Sequence, residues 1–277
     1  MSGRFIFDMP HYDALNTTRL AVIEDLLNSL RTELSFETAA DVGCGVGHLS
    51  SYLASRGLKV LALDGREENV SEAKRRFPAI DFQTGNAEDE QIRLFGTFDL
   101  VVCAGLLYHL ENPFAAVRNI FALTGKVAII EGMCVPGKDP NWALRDEGPT
   151  EDQGLRHVAF YPTENGLIKL LYRAGFPFVY RFRRLPAHPN YRTTATHRQS
   201  RTILAASRVP VSTPLLARAA EPKETRDLWL IAYSPATVFS RTRTTLGRAR
   251  RFATKPWQEK LAWLRSRLRP KSEAFNR

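Results

Sequence analysis

Residues 41–50 read DVGCGVGHLS and lie between a short apolar run and a segment with helical spacing. Glycine occupies every second position from Gly43 to Gly47. Glycine has no Cβ, so it tolerates left-handed backbone and lets a ligand approach the main chain closely. The bend is therefore either a tight turn or a place where something lies against the backbone. A helix start after it would also offer unpaired N–H groups to an anion.

The chain around this bend alternates between two kinds of pattern. The runs TAADVG, LKVLALDG, AIDFQTGN, FDLVVCAG and GKVAIIEG predict strands, and the stretches between them have helical spacing. In NPFAAVRNIFALTG, Pro113 is suited to begin a helix and Gly125 to end it. Strands that alternate with helices predict an α/β fold with a Rossmann-like parallel sheet and helices on both faces.

This rhythm stops after Gly132. Residues 133–160 have no sustained period, and we expect them to form an insert that covers a substrate. The following PTENGLIKLLYRAGF predicts a helix with Thr163 as N-cap and Gly175 at its end. FVYRFRRL and RTILAASR predict a C-terminal antiparallel strand pair, because no helix separates them.

The charge distribution separates a balanced body from a basic tail. Residues 241–277 hold twelve Lys and Arg against two acids, which accounts for the whole formal excess of +10. An argument for a polyanionic partner therefore concerns the tail alone. We predict an N-terminal helical cap over 1–35, a main domain over 36–208, a linker of uncertain structure over 209–240 and a basic amphipathic tail over 241–277.

The tail has one apolar helical face, formed by Trp257, Leu261, Leu264 and Leu268 among basic residues. Such a helix can lie at a membrane interface, contact a polyanion or dock on the body. The N-terminus shows no secretory pattern, and the three cysteines show no metal-binding or disulfide spacing. We therefore expect a cytoplasmic protein, with peripheral contact at the inner membrane surface as an option for the tail.

The glycine spacing distinguishes between nucleotide-like ligands. The dinucleotide fingerprint GxGxxG would need glycine at position 48, which is His48, and a P-loop lysine is absent. The pattern Asp-x-Gly-x-Gly-x-Gly instead resembles the first motif of the class I S-adenosylmethionine-dependent methyltransferases, and the resemblance extends over residues 36–208. It implies S-adenosyl-L-methionine as cofactor and methyl transfer as activity.

The resemblance also implies cofactor contacts at successive strand ends. Asp64, seventeen residues past Gly47, corresponds to the acid that binds the two ribose hydroxyls, since a carboxylate can accept both. Each of the four motifs also has a purely structural interpretation: a tight turn for the glycines, a helix N-cap for Asp64, surface charge for AED and core packing for LLYHL. Four motifs in the expected order nevertheless favour a ligand. The predicted cofactor-binding residues are Asp41, Gly43, Cys44, Gly45, Gly47, Asp64, Gly65, Ala87, Glu88, Ala104, Gly105 and Arg19, the last of which would pair with the cofactor carboxylate.

Three residues are candidates for catalysis, because a hydroxyl acceptor reacts faster with a base near its proton. His109 follows the fourth strand, where substrate would enter, and histidine titrates near neutral pH. Tyr108 and His157 are further candidates. Their alternatives stay open: His109 ordering the loop, Tyr108 walling the pocket and His157 exposed to solvent. We predict no metal, since Glu111 is the only carboxylate in GLLYHLENP.

The acceptor is constrained less well than the cofactor. GLLYHLENP followed by FYPTENGLIKLLYRAGF resembles both tRNA wobble-uridine enzymes and bacterial small-molecule and glycan-associated methyltransferases. The body lacks the basic surplus that favours RNA binding. We therefore expect methylation of an oxygen or nitrogen of a small molecule or of a glycan or lipid precursor, with a tRNA base as the alternative. A non-catalytic cofactor-binding scaffold and a nicotinamide oxidoreductase are the other hypotheses.

Overall fold

A computed structural model describes residues 5–147, 154–155, 157–194 and 198–223, so the predicted basic tail over 241–277 lies outside the described residues. The helices are α1 Pro10–Leu30, α2 His48–Ser55, α3 Glu67–Arg76, α4 Pro113–Leu123 and α5 Glu164–Ala174. The strands are β1 Thr38–Val42, β2 Lys59–Asp64, β3 Asp81–Thr84, β4 Phe98–Ala104, β5 Thr124–Met133, β6 Trp142–Asp146, β7 Val158–Pro162, β8 Phe178–Phe182, β9 Arg201–Ser207 and β10 Leu216–Arg218.

Eight strands form one sheet in the order β10-β8-β9-β5-β4-β1-β2-β3. The strands β3, β2, β1, β4 and β5 are parallel to one another, whereas β9, β8 and β10 run antiparallel to their neighbours. The predicted α/β class, with a Rossmann-like parallel sheet and a C-terminal antiparallel strand pair, is confirmed. The strand order reverses between β1 and β4, which is where open α/β sheets bind ligands.

Helices cover both faces of this sheet, because alternate strand residues point to opposite sides. In β4, Leu100 and Val102 pack on the side of α1, α2 and α3, whereas Val101 and Cys103 pack on the side of α4 and α5. Both core clusters are built of apolar residues that are almost fully buried. The sheet is therefore apolar on both faces, and polar chemistry is confined to its edges and strand ends.

Three helix boundaries agree with the sequence, including Pro113 at the start of α4, and one does not. The Thr163 hydroxyl accepts a hydrogen bond from the Gly166 N–H at the start of α5, and Gly175 ends this helix with φ +121°, as predicted. Gly125, predicted to end α4, lies inside β5 instead, because Thr124 already continues the chain as a strand. A Cβ at Gly125 would lie 3.0 Å from the Phe98 carbonyl oxygen, so glycine serves strand packing there.

The segments without a clear sequence pattern contain strands as well. In the insert, β6 and β7 pair antiparallel as a separate two-stranded sheet, which the irregular sequence over 133–160 did not indicate. In the predicted linker, β10 pairs with β8 and extends the main sheet at its edge. Local sequence does not predict these strands, because each one is formed by pairing across a long loop: β6 with β7, and β10 with β8.

Candidate active site

One pocket lies at the carboxyl ends of β1, β2 and β4, and its volume is about 230 Å³. Four parts of the chain form its walls: the N-terminal segment with α1, the turns after β1, β2 and β3, the loop after β4, and the insert. Its position beside the reversal of strand order is the expected one for a ligand in this kind of sheet. The predicted site residues that line it are Gly43, Asp64, Gly65, Ala87, Ala104, Gly105, Tyr108, His109 and Arg19.

The glycine bend adopts a backbone that other residues rarely reach. Gly43, Gly45 and Gly47 have φ values of +81°, +55° and +89°. The Gly45 N–H donates to Asp64 Oδ2 at 2.8 Å, so the loop is bound directly to the end of β2. The carboxylate of Asp64 therefore lies between the glycine loop and the pocket.

Asp64 accepts three hydrogen bonds from the protein. Besides Gly45, the Arg66 N–H donates to Oδ1 at 2.9 Å and the Asn69 side-chain amide donates to the same atom at 3.1 Å. An ionised carboxylate has about four acceptor positions, so one remains open on Oδ2. A second ligand hydroxyl would compete with the Asn69 amide. Asp64 is not the N-cap of α3, a position held by Arg66.

The turns after β3 and β4 form the next walls. Gly105 has φ +84°, and a Cβ there would lie 2.8 Å from Arg19 Nη2, so this glycine lets the guanidinium approach the main chain. Ala87 lines the pocket. Glu88, its predicted partner in the site, does not, because its carboxylate accepts a hydrogen bond from the Asn112 N–H at the start of α4. Asn86 lines the pocket beside Ala87 instead.

Four other predicted cofactor residues lie beneath the pocket wall. Asp41 and Cys44 are buried, with exposed fractions of 1% and 8%, and neither lines the pocket. Gly45 and Gly47 are also absent from the lining, because a Cβ at Gly45 would meet the Phe7 ring at 2.9 Å and one at Gly47 would meet the Phe82 ring at 2.8 Å. These residues shape the loop and leave the pocket surface to Gly43.

Asp41 is a buried carboxylate with incomplete hydrogen bonding. Its Oδ2 accepts from the Ser50 hydroxyl at 2.6 Å, and Oδ1 has no hydrogen-bond partner among the described residues. Burial raises the pKa of Asp41 to about 6 from the usual 3.8. The folded protein therefore holds this proton more tightly than the unfolded chain does, and the resulting stability is lost as pH rises from about 4 to about 6.

Replacing Asp41 with Asn should therefore stabilise the protein at neutral pH relative to the wild type. Asparagine keeps an oxygen that can accept the Ser50 hydroxyl hydrogen bond, and it cannot ionise. The loss of about 3 kcal/mol in the free energy of unfolding that the wild type suffers as pH rises is therefore absent in the variant. Urea unfolding at pH 4.5, 6 and 7.5 measures the difference. Asp25→Asn, which removes an exposed acid of α1, is the control. An equal difference between Asp41→Asn and wild type at all three pH values would contradict the prediction.

A buried ionic cluster lies next to the pocket, around Glu131 at the end of β5. Arg19 Nε donates to Glu131 Oε2 at 2.8 Å, and Arg201 Nε donates to Oε1 at 2.6 Å. The Tyr191 hydroxyl donates to Oε1 at 2.7 Å. Burial by itself raises the pKa of Glu131, but the two guanidinium groups and Tyr191 outweigh it and hold the pKa at about 2. One carboxylate and two guanidinium groups leave a net charge of +1.

Arg19 brings this positive charge to the pocket wall. Two of its nitrogens bind Glu131 and Nη1 donates to Asn16 Oδ1 at 2.9 Å, which leaves guanidinium hydrogens for another acceptor. Sequence analysis did not find Arg201 or Tyr191. The sequence signal for this cluster was an acid near the end of β5 and a base at the start of β9. The two strands pair antiparallel, with Met133 opposite Arg201, so Glu131 and Arg201 lie two positions apart across the pair.

The N-terminal segment closes another side of the pocket. Phe7 packs on the Gly45 backbone, and its ring meets that of Tyr12 edge-on at 6.0 Å. Asp8 accepts two hydrogen bonds from Arg76 at 2.7 and 2.8 Å, which ties the segment to the end of α3. These hydrogen bonds, with a smaller contribution from His48, lower the pKa of Asp8. This connection was not visible in the sequence.

The described residues of the insert that reach the pocket are glycine and leucine at positions 154 and 155. Gly154 and Leu155 line it, and the Leu155 side chain lies 2.9 Å from where a Cβ of Gly65 would be. The Gly154 carbonyl accepts from Arg66 Nη2 at 2.8 Å, and its N–H donates to Glu147 Oε2 at 3.0 Å. The loop is thus held against the turn after β2.

The three catalytic candidates occupy different surroundings. His109 is 7% exposed and its Nδ1 faces Glu147 Oε1. Tyr108 packs on Tyr161 with a centroid distance of 5.8 Å, and its hydroxyl accepts from Arg201 at 3.4 Å, so its ring forms part of the wall. His157 is exposed and does not line the pocket, because it lies just before β7 with φ +56°. His157 is therefore not placed to act as the predicted base.

The described part of the chain contains neither a metal-ligand cluster nor a membrane-spanning helix. No group of three or more His, Cys, Asp or Glu residues is arranged there as metal ligands. None of the helices described above is long and apolar enough to cross a membrane.

Part of the chain is similar in sequence to known methyltransferases. A family model described as "Methyltransferase domain" matches residues 40–126. Ubiquinone biosynthesis O-methyltransferase of Xanthomonas euvesicatoria pv. vesicatoria is 35% identical over 114 residues, which are 40% of this chain and 46% of that protein. The enzyme of the same name from Pseudomonas paraeruginosa is 34% identical over 92 residues, 32% of this chain and 40% of that protein. The matches thus span less than half the length of these relatives.

The fold comparison covers more of the chain. The N-terminal domain of EvdMO1, crystallised with SAH bound, superposes with a TM-score of 0.56 at 18% identity and covers 68% of this chain and 80% of that one. A second structure of this domain, obtained in the presence of SAH and D-fucose, gives a TM-score of 0.54 at 17% identity, over 78% of this chain and 100% of that one. Residues 40–126 are thus similar to a methyltransferase domain, and the described fold is similar to that of the N-terminal domain of EvdMO1.

Proposed function

We propose that this protein binds S-adenosylmethionine in the pocket and transfers its methyl group to a hydroxyl oxygen of a small molecule. The observation that carries the proposal is the placement of Asp64. Its carboxylate lies at the pocket wall, is fixed by the glycine loop, and keeps an open acceptor position. A sugar diol fits this carboxylate if one hydroxyl takes the open position on Oδ2 and the other replaces the Asn69 amide on Oδ1.

The rest of the pocket fits the remaining parts of the cofactor. Asn86 and Ala87 offer a turn for the adenine, next to the end of β3. Arg19, with guanidinium hydrogens to spare and a net positive cluster behind it, suits the cofactor carboxylate beside Gly105. When bound, S-adenosylmethionine supplies an electrophilic methyl group, and the protein has to orient the acceptor and exclude water.

The acceptor is proposed to carry an apolar body next to its hydroxyl. Side chains of the pocket beyond the cofactor positions are mostly apolar or aromatic, and burial of such surface gains roughly 25 cal/mol per Å². They include Ile6, Phe7, Leu106, Tyr108, Leu110 and Leu155. Oxygen as the methylated atom is supported by the similar proteins of Xanthomonas and Pseudomonas, which are named O-methyltransferases.

The sequence suggests two further proposals, one about the acceptor and one about the tail. A tRNA acceptor and a glycan or lipid precursor are alternatives to be tested as substrates. Membrane or polyanion contact through residues 241–277 concerns a segment outside the described residues.

Incubation with methyl-labelled S-adenosylmethionine and cell extract tests the proposal. We expect label in organic-soluble small molecules, and none with heat-denatured protein. S-adenosylhomocysteine should also stabilise the fold, by about 2.7 kcal/mol at a free concentration a hundredfold above its Kd. Label found only in RNA would mean that the acceptor is an RNA base and not a small molecule. Cofactor binding without methyl transfer to any fraction would indicate a non-catalytic scaffold. No stabilisation by S-adenosylhomocysteine would contradict the cofactor assignment.

A further inference from the structure

The insert places a carboxylate against the histidine of the pocket. His109 belongs to the short helical turn Leu107–His109 after β4, and Glu147 follows directly on β6. The side chains of both are almost fully buried, at 8% and 4% exposed, and Nδ1 of the histidine faces Oε1 of the glutamate. Burial of both groups excludes the solvent that makes exposed ion pairs weak.

The two ring nitrogens of His109 have different surroundings. Both nitrogens are buried and neither has a hydrogen bond of standard geometry among the described residues, but Nδ1 lies against the Glu147 carboxylate, whereas no such contact is seen at Nε2. A buried polar atom without a partner costs free energy, and in native proteins it commonly marks a position where another molecule binds. His109 lines the pocket, so a bound acceptor is the group available to satisfy Nε2.

A histidine base held by a carboxylate is also found in hydrolytic enzymes with a Ser-His-Asp triad. A carboxylate at Nδ1 keeps the proton on that nitrogen and leaves Nε2 as the acceptor, because the hydrogen bond of one ring nitrogen decides the tautomer. The other oxygen of Glu147 accepts from the Gly154 N–H at 3.0 Å. Gly154 lines the pocket, so the same carboxylate holds both the histidine and the loop that covers the site.

We infer that His109 is the general base of the proposed methyl transfer and that Glu147 is the positioning residue that fixes its tautomer. The inference rests on the proposed function. His109 Nε2 takes the proton from the acceptor hydroxyl as the oxygen forms a bond to the methyl carbon. The methyl–sulfur bond breaks, its electron pair stays on sulfur, and His109 then releases the proton to solvent.

Other titratable groups around this pair do not offer the same chemistry. The Tyr108 ring lies 4.1 Å from that of His109, but its hydroxyl interacts with Arg201. Arg66, which reaches the loop through the Gly154 carbonyl, has no lone pair to accept a proton. Tyr161 packs against Tyr108 on the far side of the wall.

Substitutions at two residues test the inference by turnover and binding together. His109→Gln should lower kcat by about 10²–10⁴-fold, the usual contribution of a positioned base, and leave S-adenosylhomocysteine affinity within threefold. Glu147→Gln should lower kcat by about tenfold to a hundredfold, and Glu147→Asp should recover part of it. Asp146→Asn, which removes the exposed acid next to Glu147, is the matched control and should keep wild-type turnover.

The pH–rate profile separates a base from a structural residue. A general base acts only in its unprotonated form, so wild-type kcat should fall at acid pH, and this acid limb should be absent in His109→Gln and changed in Glu147→Gln. A flat wild-type profile, or wild-type turnover in His109→Gln, would overturn the inference with the proposed function intact. If instead the wild type neither binds S-adenosylhomocysteine nor transfers methyl, the proposed function fails first and the inference falls with it.

Discussion

Asp64→Asn should weaken binding of S-adenosylhomocysteine by on the order of 100–1000-fold, which corresponds to about 3–4 kcal/mol. Hydrogen bonds to a charged group contribute about 1.5–3 kcal/mol each, and the carboxylate is expected to bind a diol. The amide also loses acceptor positions that Gly45, Arg66 and Asn69 use in the wild type, so the glycine loop itself becomes less well fixed.

Isothermal titration calorimetry measures this change directly. Asp81→Asn is the matched control, because Asp81 is an exposed acid at the start of the neighbouring strand β3 and contacts Gln83 only locally. Circular dichroism of both variants checks that the fold is kept. An affinity within threefold of wild type for Asp64→Asn would mean that this carboxylate does not hold the ligand, and the cofactor proposal would lose its main support.

Glu131→Gln should have the largest effect on stability, a loss of about 3–5 kcal/mol in the free energy of unfolding. The substitution leaves Arg19 and Arg201 buried side by side, with exposed side-chain fractions of 7% each and no countercharge between them. Glutamine matches the size of glutamate, so the loss reports charge and hydrogen bonding rather than a cavity.

A double-mutant cycle shows whether the loss comes from uncompensated charge. Arg201→Met alone leaves the Arg19–Glu131 pair neutral, so we expect it to cost less than Glu131→Gln. In the double variant only one guanidinium stays buried, and the combined loss should be smaller than the sum of the two single losses. Strict additivity in urea unfolding would contradict the proposed coupling.

The same carboxylate predicts how wild-type stability depends on acid. The pKa of Glu131 is about 2 in the folded protein against an ordinary value of 4.5. Its contribution, on the order of 3 kcal/mol, is therefore fully present above about pH 4.5 and is lost as pH falls toward 2. Glu131→Gln should lack this part of the acid transition. Asp41 acts in the opposite direction and over a higher pH range, so the two buried carboxylates can be separated by pH alone.

Much of this protein can be deduced from local sequence. The apolar runs and the residues that begin and end helices define most strands and helices, because those patterns depend on neighbours along the chain. The glycine loop was recognisable because backbone geometry at Gly43 is a local property, whereas the role of Asp64 was predicted from the resemblance of the motif sequence to a known family. Glu88 shows the limit of such reasoning. It was predicted to contact the cofactor, but its carboxylate accepts a hydrogen bond from the Asn112 N–H, and Glu88 does not line the pocket.

The tertiary structure decided how charged residues are paired. Arg201 and Tyr191 join Glu131 across antiparallel strands, and Glu147 meets His109 only because the insert folds back as β6 and β7. No periodicity marks such partners, because their interaction depends on three-dimensional proximity across loops of unrelated length. The sequence by itself determined the sheet, its covering helices and the ligand loop, whereas long-range strand pairing decided which polar groups are buried together, since burial makes those contacts strong.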